Sequence, residues 1–186
     1  MSDASERLAA PRVPLLAPDE FNEEQRSLTT DEQRHVNLFQ LVAQHPEAHR
    51  RLKATGSFAN FETQLPVRDR ELMILRMAWL YQSEFEWSQH AQPALDAGLT
   101  DDDLARVKVG SEADGWDDWD RTVLRTIEGL VSDCMIPTPV WDALCERYST
   151  EMMLELVIFF GHYTLVTTLA NVFGLGVNPG KPGFDA

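Results

Sequence analysis

Apolar residues recur along most of this chain at helical spacing, in stripes separated by residues that start or stop helices. Val36, Leu38, Phe39, Leu41 and Val42 form the first stripe, behind Thr30-Asp31-Glu32-Gln33, which has the form of a capping box. Pro46 stands where a first helical turn begins and leads the segment 47–61. Pro66 precedes "VRDRELMILRMAWLYQ", the most strongly helical window, in which Leu72, Leu75, Met77, Ala78 and Leu80 read as core. Gly98 closes the next helix, and Thr100 caps "DDDLARVKVG", whose carboxylate-rich first turn suits the helix dipole. A further helix is expected through 122–133, Pro137 and Pro139 break the chain before 140–148, and Ser149 or Thr150 caps a long apolar helix from Glu151 to about Phe173. No segment alternates with a period of two. The expectation is an all-α fold of about seven or eight helices: one domain over 29–178, an N-terminal extension over 1–28 and a turn-rich tail over 179–186.

The stretch 156–176, "LVIFFGHYTLVTTLANVFGLG", is long and apolar enough to raise a membrane-spanning reading. His162 and Asn171 lie inside it, Thr and Gly recur along it, and no basic cluster anchors its ends before Lys181. A helix buried all round, in the core or at a subunit contact, fits these features better.

Composition narrows the partners. Hydrophobic residues make up 44% of 186 residues, enough for a core. A formal charge of −14 leaves no basic stripe for nucleic acid or an anionic membrane surface, so neither is expected as a partner. Cys134 and Cys145 do not make a disulfide framework, and the first twenty residues lack the pattern of a signal peptide, so a cytoplasmic location is expected.

Candidate chemistry is concentrated in 71–90. Glu86 and His90 are four apart and share a helical face, with Ser83 three residues before Glu86 on the same side. Two helices joined near Gln82 and packed antiparallel would return Glu71 to His90. Together these supply a proton-transfer pair: a carboxylate fixes the imidazole and raises its pKa, while burial works against it. The plainer alternative is an exposed Glu–His pair worth about 0.2–0.5 kcal/mol. Phe85, Trp87, Trp79 and Tyr81 surround the polar residues, and apolar walls with few polar groups describe a small-molecule pocket. His90 is the first candidate for general acid or base, with Glu86 and Glu71 completing a relay. Ser83 could donate to substrate or cap a helix, and Arg76 could take a substrate carboxylate or a structural ion pair. Trp87 could wall the pocket or fill core, and His162 could line the pocket or bond across a subunit contact. His35, His45 and His49 read as solvated helix or helix-end residues, and no spacing supports a metal site.

The order Glu71, Ser83, Glu86, His90, with eleven, two and three residues between, resembles the signature of the carboxymuconolactone decarboxylase and alkylhydroperoxidase D-like family. Its peroxidase branch carries Cys-x-x-Cys where Ser83 and Glu86 stand here. Its decarboxylase branch lacks that pair and places a carboxylate four residues before the His. The framing segments "RDRELMILRMAWL" and "AGLTDDDL" also look familial. The resemblance implies a helical fold, homo-oligomerisation with pockets near subunit contacts, and chemistry without metal or organic cofactor. Without a low-pKa thiolate and a resolving thiol, peroxide reduction has no means here. The expected function is therefore decarboxylase-like proton transfer on a small carboxylated or lactone-type molecule. The alternative is a non-catalytic oligomer that binds a small ligand or a protein.

Overall fold

A computed structural model describes residues 8–185; within them the chain forms nine α-helices, seven of them longer than six residues. The first seven residues of the expected extension and the last of the tail lie outside the described residues. The helices are α1 (Glu23–Ser27), α2 (Asn37–Val42), α3 (Pro46–Ser57), α4 (Val67–Leu80), α5 (Glu84–Asp96), α6 (Asp101–Val109), α7 (Asp118–Asp133), α8 (Thr138–Cys145) and α9 (Thr150–Phe173). A π-helical turn, Phe58–Glu62, extends α3.

Several helix starts follow the sequence signals, although α7 begins at Asp118, inside the acidic stretch and four residues before the expected 122, with Asp117 as its cap. Pro46 occupies the first turn of α3, Thr100 and Asp103 cap α6 reciprocally, and Ser149 accepts from the Met152 amide at 3.2 Å. One signal opens less than expected. Thr30 and Gln33 do exchange capping-box bonds, yet they start only a 3₁₀ turn, Gln33–His35. The His35 carbonyl accepts from Asn178 Nδ2 at 3.0 Å, from the far end of the chain, while the Phe39 amide goes to Val36. Helix α2 therefore starts afresh at Asn37.

Helix α4 is the axis of the fold, with α5, α6, α7 and α9 packed on it. Every residue from Asp69 to Ala78 is buried. A helix buried on all sides must find partners for its charges, because an unpaired buried charge is costly. Asp69 accepts from Tyr148 (2.6 Å) and Trp119 (3.1 Å), Arg70 donates to the Ala59 and Asn60 carbonyls, and Arg76 bonds Glu128 at 2.8 Å. That leaves Glu71, whose partner is in the site below.

The α4–α5 turn is a Schellman motif: the Ser83 amide donates to the Ala78 carbonyl (2.7 Å) and the Gln82 amide to that of Trp79 (3.1 Å). Gln82 takes the left-handed conformation, φ 55°, that closes such a turn. The two helices then run antiparallel.

Two apolar clusters result. The larger gathers α4 to α8 with the first half of α9; the smaller joins α2, α3, Phe85 and the second half of α9. The C-terminal tail returns over the larger one, placing Phe184 edge-on to Trp79 and Trp87.

Gly110, at φ 107°, ends α6 where a Cβ would run into the Arg76 guanidinium and Glu128. Gly110→Ala therefore forces both a left-handed alanine and a displaced ion pair, and is expected to destabilise by about 2 kcal/mol or more. An unchanged urea midpoint would contradict this account of the α4–α6–α7 junction.

Candidate active site

The antiparallel hairpin brings Glu71, one turn into α4, against His90 in the middle of α5. Glu71 Oε2 lies 2.8 Å from His90 Nδ1. An ionised carboxylate can only accept, so Nδ1 carries the proton and Nε2 is turned the other way. Nε2 faces Glu86 Oε2 at 3.8 Å, one turn back on the same helix. That separation is too long for a direct hydrogen bond, yet within ion-pair range. The imidazole is thus clamped on one side by Glu71 and faces Glu86 on the other.

Burial makes this cluster unlike a surface pair. Glu86 is 3% exposed and the His90 side chain 15%. Burial pulls the His90 imidazole down, but the hydrogen bond and charge of Glu71 and the charge of Glu86 outweigh it and hold the ring above its ordinary value. Burial, aided by the Glu71 charge and opposed by His90, pushes the Glu86 carboxyl up to about 7. The site can therefore hold or release a proton near neutral pH, where acid–base catalysis is most effective.

Glu86 and His90 open onto a cavity of about 370 Å³ at the seam between the two apolar clusters. Phe39, Leu52, Phe85 and Val166 give it apolar walls; Asn60, Gln89, His162 and Tyr163 add polar groups. Tyr163 packs edge-on to the His90 ring, centroids 5.3 Å apart, and donates its hydroxyl to Asn60 Oδ1 at 2.7 Å. A larger groove of about 590 Å³, bounded by α2, α3 and α9, contains none of Glu71, Glu86 and His90.

The remaining sequence candidates divide. His162 does line the cavity. Its Nδ1 is 3.1 Å from Thr55 Oγ1, and burial, with the His90 charge, lowers its pKa to about 4. Trp87 does not line it: the indole is core, between Trp79 and Phe184 and under the Lys108 ammonium. Arg76 is also placed elsewhere, its guanidinium occupied by Glu128 and the Val107 and Lys108 carbonyls. Ser83 takes the N-cap position of α5, but its hydroxyl caps nothing and is buried without a partner, outside the cavity wall. Cys134 and Cys145 are both free and exposed, not buried.

Two expectations need correction. His49 is not solvated: it is fully buried on α3 and lines the cavity. Within one chain, helix α9 is not buried all round. It is long and apolar enough to cross a membrane, with 33% of that window buried, and Leu154, Val157, Ile158, Leu165 and Val172 form an exposed stripe. Among the described residues, no group of three or more His, Cys, Asp or Glu side chains is arranged to hold a metal ion.

The chain is all-α and places a buried carboxylate–imidazole–carboxylate row beside a small cavity. Residues 46–124 match the Carboxymuconolactone decarboxylase family, a span that contains Glu71, Glu86 and His90. The fold is that of an uncharacterised peroxidase-related protein from Ralstonia eutropha with an alkylhydroperoxidase AhpD core (TM-score 0.78, 16% identity, 91% of this chain and 93% of that one). It is similar also to an Agrobacterium tumefaciens protein of unknown function, described as a candidate antioxidant defence protein AhpD (TM-score 0.67, 17% identity, 74% of this chain and 94% of that one). No curated protein matches the chain. Over residues 46–124 the chain thus carries the match to the carboxymuconolactone decarboxylase family, on an all-α fold like that of the alkylhydroperoxidase AhpD core, and its two cysteines are not paired.

Proposed function

We propose that this protein is a cofactor-free acid–base enzyme of the decarboxylase type, acting at carbon on a small carboxylated or lactone-type molecule. The observation that carries the reading is the geometry of His90: Nδ1 is held by Glu71 at 2.8 Å, while Nε2 and the Glu86 carboxyl face a cavity of substrate size. In the proposed step the carbon–carbon bond to a carboxylate breaks and its electron pair enters a conjugated carbonyl. CO2 departs, and the resulting enolate takes the proton from His90 Nε2 at carbon. Glu71 keeps its contact with Nδ1, fixing the ring, and solvent reprotonates the imidazole. Glu86, protonated in part at neutral pH, can stabilise or return that proton.

Arg76 has no part in this reading, since its guanidinium is committed elsewhere. Peroxide reduction of the kind that names the Ralstonia relative has none either, because Ser83 and Glu86 offer no thiolate and no resolving thiol.

The test is turnover of unsaturated lactones, with and without a ring carboxylate, in D2O. CO2 release or deuterium entry at carbon supports the proposal; neither, across the series, rejects it.

We also propose that the exposed stripe of α9 meets a second copy of the chain. The stripe includes Gly161 and Thr168, lies on a protein of charge −14, and continues into Leu165 on the rim of the larger groove. Ile158→Glu is expected to shift wild-type oligomer to monomer in light-scattering chromatography. A monomeric wild type would dismiss the contact.

A further inference from the structure

His49 is a cavity residue that the acid–base row does not explain. Its ring is fully buried, and neither nitrogen has a hydrogen-bond partner in the protein. Buried polar groups are nearly always bonded, and leaving two ring nitrogens unmatched forfeits their hydration. The Phe39 ring beside it, centroids 5.8 Å apart and tilted by 42°, offers only an apolar surface. Sequence spacing shows which way it faces: His49, Leu52, Lys53 and Gly56 lie at i, i+3, i+4 and i+7 on α3, and all four line the cavity. Opposite them, α5 contributes Glu86 and His90.

We propose that His49 binds the ligand of this cavity, taking an uncharged polar group, a hydroxyl or a carbonyl, carried on an apolar body whose other end lies at His90. The chemistry follows from the ring. Burial first, and the Lys53 charge second, lower its pKa, so at neutral pH it offers one N–H donor and one lone pair. Such a ring can donate to a carbonyl or accept from a hydroxyl. It gives a carboxylate no countercharge, and the Lys53 ammonium is turned to the Leu28 carbonyl at 2.8 Å. Phe39, Leu52, Phe85 and Val166 suit the ring or short hydrocarbon between the two polar ends. This substrate class rests on the cavity's being the active site proposed above, although the binding role of His49 can be tested without any turnover.

The experiment compares p-cresol with toluene, which has the same body without the hydroxyl. Binding is followed by calorimetry and by the nitrogen shifts of the five histidines in uniformly labelled protein. Wild-type protein is expected to prefer p-cresol by about tenfold, the contribution of one neutral hydrogen bond. His49→Leu should bind toluene as before and lose that preference, while His90→Gln keeps it. If the buried leucine variant does not fold, the wild-type spectrum decides: p-cresol, but not toluene, should move the His49 nitrogens. A preference that survives in His49→Leu, or nitrogen shifts confined to His90 and His162, overturns the proposal. Normal turnover by His90→Gln would instead reject the catalytic reading and leave the His49 result standing.

Discussion

Replacing His90 by glutamine is expected to lower turnover by about 10²–10⁴-fold, the usual contribution of a positioned acid or base. Glutamine is chosen because its amide can still donate to Glu71, replacing the 2.8 Å contact that the imidazole makes with that carboxylate. The fold and the cavity should survive, which thermal unfolding will report. What disappears is the group that can both carry a proton at Nε2 and give it up. A loss confined to kcat, with KM little changed, would place the effect in the transition state and not in binding. A substrate-free check is available as well: the His90 ring of the wild type should titrate above its ordinary value of 6.5. Turnover equal to wild type would remove His90 from the chemistry.

The second large effect concerns Glu86→Gln, which should make the protein more stable at pH 8 and slower. Burial, with the Glu71 charge, holds the Glu86 carboxyl up to about 7 against an ordinary 4.5, the His90 charge opposing. Between those values the folded chain keeps a proton that the unfolded chain has lost, so wild-type stability falls as pH rises through this window. The fall amounts to at most about 3 kcal/mol. Glutamine resembles the protonated acid and bears no such cost. The melting temperature of the variant, relative to wild type, should therefore rise from pH 5 to pH 8. His162 works in the opposite sense, losing stability as pH falls from 6.5 towards 4, but it is present in both proteins and cancels in the comparison. Stability gained together with activity lost is the pattern expected where a site keeps a strained charge for function. A difference in melting temperature that is flat with pH would mean that Glu86 titrates as an ordinary carboxyl.

Parts of the site were legible because they depend on local geometry. The i, i+4 relation of Glu86 and His90 needs only a helix. The return of Glu71 needs only a reversal near Gln82, and the turn found there is the one that such a reversal requires. Arg76 and Trp87 could not be assigned in this way. Each has a plausible use in a pocket and another in the core, and the choice depends on Glu128 and Phe184, 52 and 97 positions away (128 − 76; 184 − 87). His49 was missed because its neighbours Glu47, Arg50, Arg51 and Lys53 are charged and exposed, which makes the segment read as solvated. The signal was there in weaker form: His49, Leu52 and Gly56 lie on one face, and Gly56 leaves room for the His162 ring.

Helix α9 marks the same boundary. Its caps at Ser149 and Gly174 were set by the residues themselves, since a side-chain oxygen at one end and a left-handed glycine at the other act within a few residues. Its apolar composition was equally plain, but composition gives no direction to a helix that is apolar on every side. The sequence by itself determined the longer helices, most of their caps and the pairing of an acid with an imidazole, because these are short-range and periodic. Only the tertiary structure decided which charges along α4 are consumed in the core, which face of α9 stays open, and which histidines look into the cavity. Those outcomes depend on desolvation, and a side chain is desolvated by whatever distant segment comes to lie against it.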